Sequence, residues 1–128
     1  KLYQEALALQ RKGRFTEAGS LYEQTLALDP THVQALNNLG VVFMSRRKNA
    51  EAIVVFRKAI RINKDYADPY YNFACLHSKW GNIDPALRYL KKAAALNPEV
   101  LEWAKNDKDL NYLHTSVEFK RLIGKQED

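Results

Sequence analysis

The feature that most constrains this chain is a period of 34 residues. Ala18, Ala52 and Ala86 stand 34 apart, as do Ala6, Gly40 and Ala74, and Tyr22, Phe56 and Leu90. Leu28, Ile62 and Leu96 make a fourth column, and Thr25, Ala59 and Ala93 a fifth. The columns keep size and polarity class without an insertion. A period of this length means one supersecondary unit repeated and stacked.

Within each period the apolar spacing is helical. Leu36, Leu39, Gly40 and Phe43 follow i, i+3, i+4, i+7, and Ala52, Val55, Phe56, Ala59 and Ile60 do so again. The polar run Arg46-Arg47-Lys48-Asn49 separates them. Gly13 and Gly81 occupy the equivalent turn, where a left-handed backbone costs glycine nothing. Arg47 fills that slot in the middle period, which predicts strain or an altered turn there. The small Gly40 and Ala52 let two antiparallel helices approach closely, with Leu36, Leu39, Phe43 and Phe56 filling the layer around them. Thr31 with Gln34 reads as a capping box, and Asp68-Pro69 as a capping acid before a first-turn proline. Asp29-Pro30 and Asn97-Pro98 end helices, because the residue before proline avoids the helical region. These signals predict helices over 1–12, 16–28, 33–46, 50–62, 69–80 and 84–96.

The middle period, with Leu36, Leu39, Gly40, Phe43, Ala52 and Phe56, resembles the tetratricopeptide repeat (TPR) family. Tyr70, Phe73, Ala74, His77, Ala86, Leu90 and Pro98 carry the same pattern, as do Leu2, Ala6, Leu9, Ala18, Tyr22 and Pro30. Glu5, His77 and Lys64 depart from it. The resemblance implies an all-α, right-handed solenoid of antiparallel helix pairs: three repeats over 1–98 (1–32, 33–66 and 67–98) and capping helices with a tail over 99–128.

The period stops after Pro98, yet Leu101, Trp103, Ala104, Leu110, Leu113, Val117, Phe119, Leu122 and Ile123 are too apolar for a free tail. An open stack leaves its last helix uncovered, and a terminal cap solves this. The expected cap is a helix over 99–106, a tight turn at 107–110 and a helix over 116–124 opened by a Thr115/Glu118 capping box.

The 128 residues suffice for one compact unit. At 46% hydrophobic and 27% charged, the chain is composed to fold. No apolar run approaches the roughly 20 residues that cross a bilayer, so membrane insertion is not expected. The start at Lys1 without Met reads as a fragment. One cysteine, Cys75, leaves no intrachain disulfide and fits a reducing, cytoplasmic compartment. His32, His77 and His114 fall on three different elements, and no metal, phosphate-loop or nucleophile motif is present. We therefore expect no enzyme activity, no cofactor and no metal site. Residues 1–66 hold 11 Lys/Arg and 6 Asp/Glu, and residues 67–128 hold 9 of each. Lys91 and Lys92 repeat the basic Arg57 and Lys58, but Asn82, at the position of Lys48, and Asn97 are not basic, which argues against a nucleic-acid stripe.

In the TPR family the first helix of each repeat lines a concave groove. Helical geometry opposite the packing stripe then nominates Gln34, Asn37, Asn38, Val41, Met44 and Ser45, with Tyr3, Gln4, Leu7, Gln10 and Arg11 before them and Asp68, Tyr71, Asn72, Cys75, Ser78 and Lys79 after. The strongest binding candidates are Tyr3, Gln4, Leu7, Asn37, Asn38, Val41, Met44, Tyr71, Asn72, Cys75 and Lys79. Gln4, Asn38 and Asn72 form a carboxamide column that either holds a peptide backbone or ties neighbouring helices together. A two-carboxylate clamp is not expected: of its residues only Asn38 is matched, and Asp68 would repel a carboxylate. The expected partner is another protein or peptide. Self-assembly into a homo-oligomer and an accessory role in a larger enzyme are the alternatives.

Overall fold

Every helical pair closes through the same turn. In a computed structural model, which describes residues 1–124, α1 (Leu2–Arg11) leads to α2 (Phe15–Leu28), α3 (Val33–Ser45) to α4 (Asn49–Ile62), and α5 (Ala67–Lys79) to α6 (Ile83–Leu96). The backbone N–H groups of Arg14, Lys48 and Asn82 reach back to the carbonyls of Leu9, Phe43 and His77 at 2.9, 2.7 and 2.8 Å. Each turn passes through a left-handed residue: Gly13 at φ 79°, Gly81 at φ 78°, and Arg47 at φ 60°. The middle turn is thus unaltered in shape, and the arginine carries a strain that glycine avoids.

The far ends of α2, α4 and α6 repeat as well. Asp29, Asn63 and Asn97 leave the helix in extended geometry, each donating its N–H to the carbonyl four residues back, of Thr25, Ala59 and Ala93. Asn63 does this without a following proline, so the extended turn rather than Pro30 or Pro98 is common to all three.

Helix starts differ by a residue or two from expectation. Thr31 donates its hydroxyl to Asp29, and the His32 ring nitrogen Nδ1 accepts from Ala35 N–H at 3.1 Å in its place. Asp68 is inside α5, whose N-cap residue is Tyr66; the Tyr66 hydroxyl donates to the Asp68 carboxylate at 3.3 Å. Burial of Asp68 raises its pKa above the ordinary carboxylate value.

The chain divides into two compact units, Lys1–Lys64 and Asp65–Asp128. In the first, Ala6, Ala18, Tyr22, Ala35, Leu39 and Val42 form a buried cluster, joined by half-buried Tyr3, Leu9 and Phe43. Ala52, Phe56 and Ala59 are fully buried on α4. A Cβ placed on Gly40 would lie 2.3 Å from the Phe56 ring, so this glycine sets how closely α3 and α4 approach.

In the second unit α5 and α6 bury Phe73, Ala74, Leu76, Ala86, Leu87, Leu90 and Ala93. The cap continues as α7 (Val100–Asn106), a 3-10 segment (Lys108–Leu113) and α8 (Val117–Gly124). The expected tight turn is therefore six residues of 3-10 helix, opened by Asp107, whose carboxylate accepts from Asp109 N–H at 2.9 Å. Ser116, not Thr115, caps α8, accepting from Phe119 N–H at 3.2 Å. Leu101, Ala104, Leu110, Leu113 and Phe119 are buried, whereas Trp103 and Val117 stay exposed. Residues 125–128 of the expected tail lie outside the described residues. No strand occurs among the described residues, and none of their helices is long and apolar enough to cross a membrane.

Two substitutions test this packing. Gly40→Ala should destabilise the chain by about 2 kcal/mol through overpacking against Phe56, outweighing the gain of about 1 kcal/mol in helix propensity. Arg47→Gly should stabilise it by about 0.5–1 kcal/mol by relieving the left-handed strain. Urea midpoints at constant m-value measure both.

Candidate functional site

On the first unit, α1 and α3 present one polar and apolar face. The Asn38 side-chain amide donates to the Tyr3 hydroxyl at 3.0 Å, joining the two helices directly. Asn37 donates to Asn38 Oδ1 at 3.4 Å. Beneath them Tyr22 is fully buried and donates its hydroxyl to Gln10 Oε1. Burial, reinforced by Tyr3, pushes the Tyr22 phenol up to about 12 against the opposing pull of Asn38 and Arg11, so Tyr22 stays a neutral donor at physiological pH. The Tyr3 ring lies 5.9 Å from Tyr22 and 4.6 Å from His32, which holds it upright.

Around this fixed network Leu7 and Val41 are half-buried, and Gln4, Arg11, Gln34 and Ser45 are exposed. Asn37 and Met44 are buried, at 3% and 8% exposure, so they add little to the open face. Beside Tyr3 lies a depression of about 290 Å³ lined by Leu2, Tyr3, Thr25, Leu28, Asp29 and His32. Leu28 stands at its rim, 79% exposed. Sequence reasoning missed this depression. Leu28 was legible as a repeat column, but its exposure depends on how α2 ends beside the start of α1.

On the second unit the equivalent face is closed by the chain itself. The Tyr71 hydroxyl donates to Asp107 Oδ2 at 2.6 Å, and the Tyr71 ring meets Trp103 edge-on at 5.4 Å. The Cys75 thiol points at the same carboxylate oxygen, 3.8 Å away, and Lys79 pairs with Asp109 at 3.7 Å. Tyr71 and Cys75 are buried, Asn72 is half-buried and Lys79 is exposed. The 3-10 segment that covers the end of the array thus lies on the side of α5 nominated for binding. A helical wheel identifies that side without revealing that residues 107–113 return to it.

The Sγ of Cys75 and carboxylate oxygens of Asp107 and Asp109 lie within 4.8 Å of one another. Their bonds are those of a structural seam. Asp107 accepts from Tyr71, Cys75 and the Asp109 N–H, and Asp109 faces Lys79. Burial first, and then the Asp107 carboxylate, push the Cys75 thiol well above its ordinary value, which removes its nucleophilicity. The same causes keep Tyr71 protonated. The histidines are held by packing: His77 stacks on Tyr89 at 5.4 Å, and His114 lies 5.1 Å from Phe119.

A thiol held this way should react with Ellman's reagent only as fast as the second unit opens. Labelling of Cys75 should be at least a hundredfold slower in the native chain than in urea. Native labelling at the rate of a free thiol would show that the seam is open.

Comparisons with known proteins agree with this architecture. Two family models, each described as a tetratricopeptide repeat, match residues 3–67 and 67–100. Among curated relatives, the photosystem I assembly protein Ycf3 of Synechococcus sp. (strain CC9902) is 30% identical over 102 residues, 72% of this chain. The same protein of Synechococcus sp. (strain CC9605) is 29% identical over the same length. The chain spans 59% of the length of these two relatives. Human protein O-mannosyl-transferase TMTC3 is 29% identical over 89 residues, covering 69% of this chain and 10% of that protein. Among solved structures, the first TPR domain of Spaghetti (RPAP3) bound to the HSP90 peptide SRMEEVD has a TM-score of 0.71 at 16% identity, covering 99% of this chain and 91% of that one. The MamA RS-1 ArsTM double mutant has a TM-score of 0.69 at 20% identity, covering 98% and 69%. The paired helices, their repeated turns and the models matched across them place the chain in the tetratricopeptide repeat family, with an all-α solenoid fold.

Proposed function

We propose that this chain is a non-enzymatic scaffold that binds a peptide or helix of a partner protein against the α1/α3 face of its first unit. The observation that carries this reading is the Tyr3–Asn38 bond. It fixes two amphipathic side chains in place before any partner arrives, so little side-chain entropy is lost on binding. Gln4 and Gln34 offer exposed carboxamides to a partner's backbone, and Leu7 and Val41 offer apolar contact beside them. The depression next to Tyr3 can take an apolar anchor side chain, with Leu28 at its rim. Asn38 already spends one N–H on Tyr3, so it serves the face chiefly by positioning the tyrosine.

A face this small supports micromolar affinity, about −8 kcal/mol. The relatives named photosystem I assembly proteins support a role in assembly. The neighbour holding an HSP90 peptide supports the peptide mode, although Tyr3, Leu7, Asp68 and Asn72 occupy the places where a two-carboxylate clamp would require cations and one further asparagine. A single buried thiol suits a reducing, cytoplasm-like compartment.

Photo-crosslinking in the source cells tests this. A photoreactive residue placed at Leu7 or Val41 should capture one and the same polypeptide, whereas one at exposed Glu23 on α2 should not. Adding Gln4→Ala should reduce capture through Val41 about tenfold. Equal capture at Glu23, or no adduct at Leu7 and Val41, would overturn the assignment.

A further inference from the structure

The first unit carries a second surface that the α1/α3 face does not use. Residues 1–64 hold 11 Lys/Arg against 5 Asp/Glu. Six of those cations gather on and just before α4. Arg46, Arg47 and Lys48 form the turn, and Arg57, Lys58 and Arg61 lie on the helix. All six are exposed, and none forms an ion pair or a side-chain hydrogen bond among the described residues. Val54, Arg57, Lys58 and Arg61 follow i, i+3, i+4, i+7 and share one face. Val54 opens that face, between the turn cations and Arg57 along the chain, at 63% exposure. The same position holds Ser20 in α2 and Arg88 in α6, so an apolar residue there is particular to this repeat. The turn adds an independent mark. Arg47 keeps a left-handed backbone at φ 60° where both sister turns have glycine. A charged residue held at a conformational cost points to a use for its side chain.

We propose that the outer face of α4, with the Arg46-Arg47-Lys48 turn, docks an acidic amphipathic segment of a partner protein. Helix α4 has 14 residues, about 21 Å of length, enough to align three to four turns of a partner helix. Carboxylates at the two ends of that segment meet the two cation groups, and an apolar side chain between them covers Val54. Two features favour such a segment over a nucleic-acid backbone. Phosphates have no use for an exposed valine between the two cation groups. Glu51, exposed on the same face one turn before Val54, would repel a continuous line of phosphates but leaves room for a patterned segment.

Fluorescence anisotropy with the full chain tests this against four probes. They are a labelled 16-residue acidic peptide with Glu near both ends and Leu at its centre, a scramble of the same composition, a 20-base-pair DNA duplex, and anionic phospholipid vesicles. The patterned peptide should bind at least fivefold tighter than its scramble. Arg57→Glu with Arg61→Glu should weaken it at least tenfold, and Val54→Ser at least threefold, while Leu7→Ala leaves it unchanged. Circular dichroism checks that each variant folds, and Arg57→Gln with Arg61→Gln gives a milder pair. Equal binding of peptide and scramble, no binding of either, or tighter binding of duplex or vesicles that Val54→Ser does not alter would overturn the proposal.

Discussion

The structure of each pair depends on how closely two antiparallel helices can approach. That distance is set by one column of small residues, Ala6, Gly40 and Ala74, facing one column of large ones, Tyr22, Phe56 and Leu90. At Gly40 no side-chain atom can be tolerated, because the Phe56 ring occupies the space. The large residues are fully buried in all three pairs. Each is worth roughly 1.5–3 kcal/mol of burial.

That constraint explains why the two units offer such different surfaces. In the first, α1 and α3 meet through Tyr3 and Asn38, and the polar network beneath them is satisfied within the unit. A satisfied network is stiff, so the groups around it are presented in fixed positions. In the second, the side of α5 equivalent to this face meets Asp107 and the 3-10 segment, and Leu110 and Leu113 are fully buried there. The cap protects an apolar end that an open stack would expose to water, at the cost of a possible binding surface.

Much of this was legible in the sequence. The 34-residue period placed six helices within two residues of their observed bounds, and the glycine pattern located the left-handed turns, Arg47 included. Helix starts were less legible, since a side chain such as Thr31 can be diverted into a neighbouring turn and leave the capping to His32. The candidate surface was partly legible. Residues chosen by helical angle alone include Asn37 and Met44, which are buried, and Tyr71 and Cys75, which residues 107–113 approach from far along the chain. Helical periodicity reports which way a side chain points and carries no information on what returns to cover it.

The central claim is that the α1/α3 face stands open and rigid while the corresponding side of α5 is sealed by the chain's own cap. Solution NMR with a neutral gadolinium chelate as a solvent probe reads this directly. The account predicts strong paramagnetic broadening of the Leu7 and Val41 methyl signals and protection of Leu110, Leu113 and the Cys75 β-protons. Broadening of Cys75 and Leu110 as strong as that of Leu7 would contradict it.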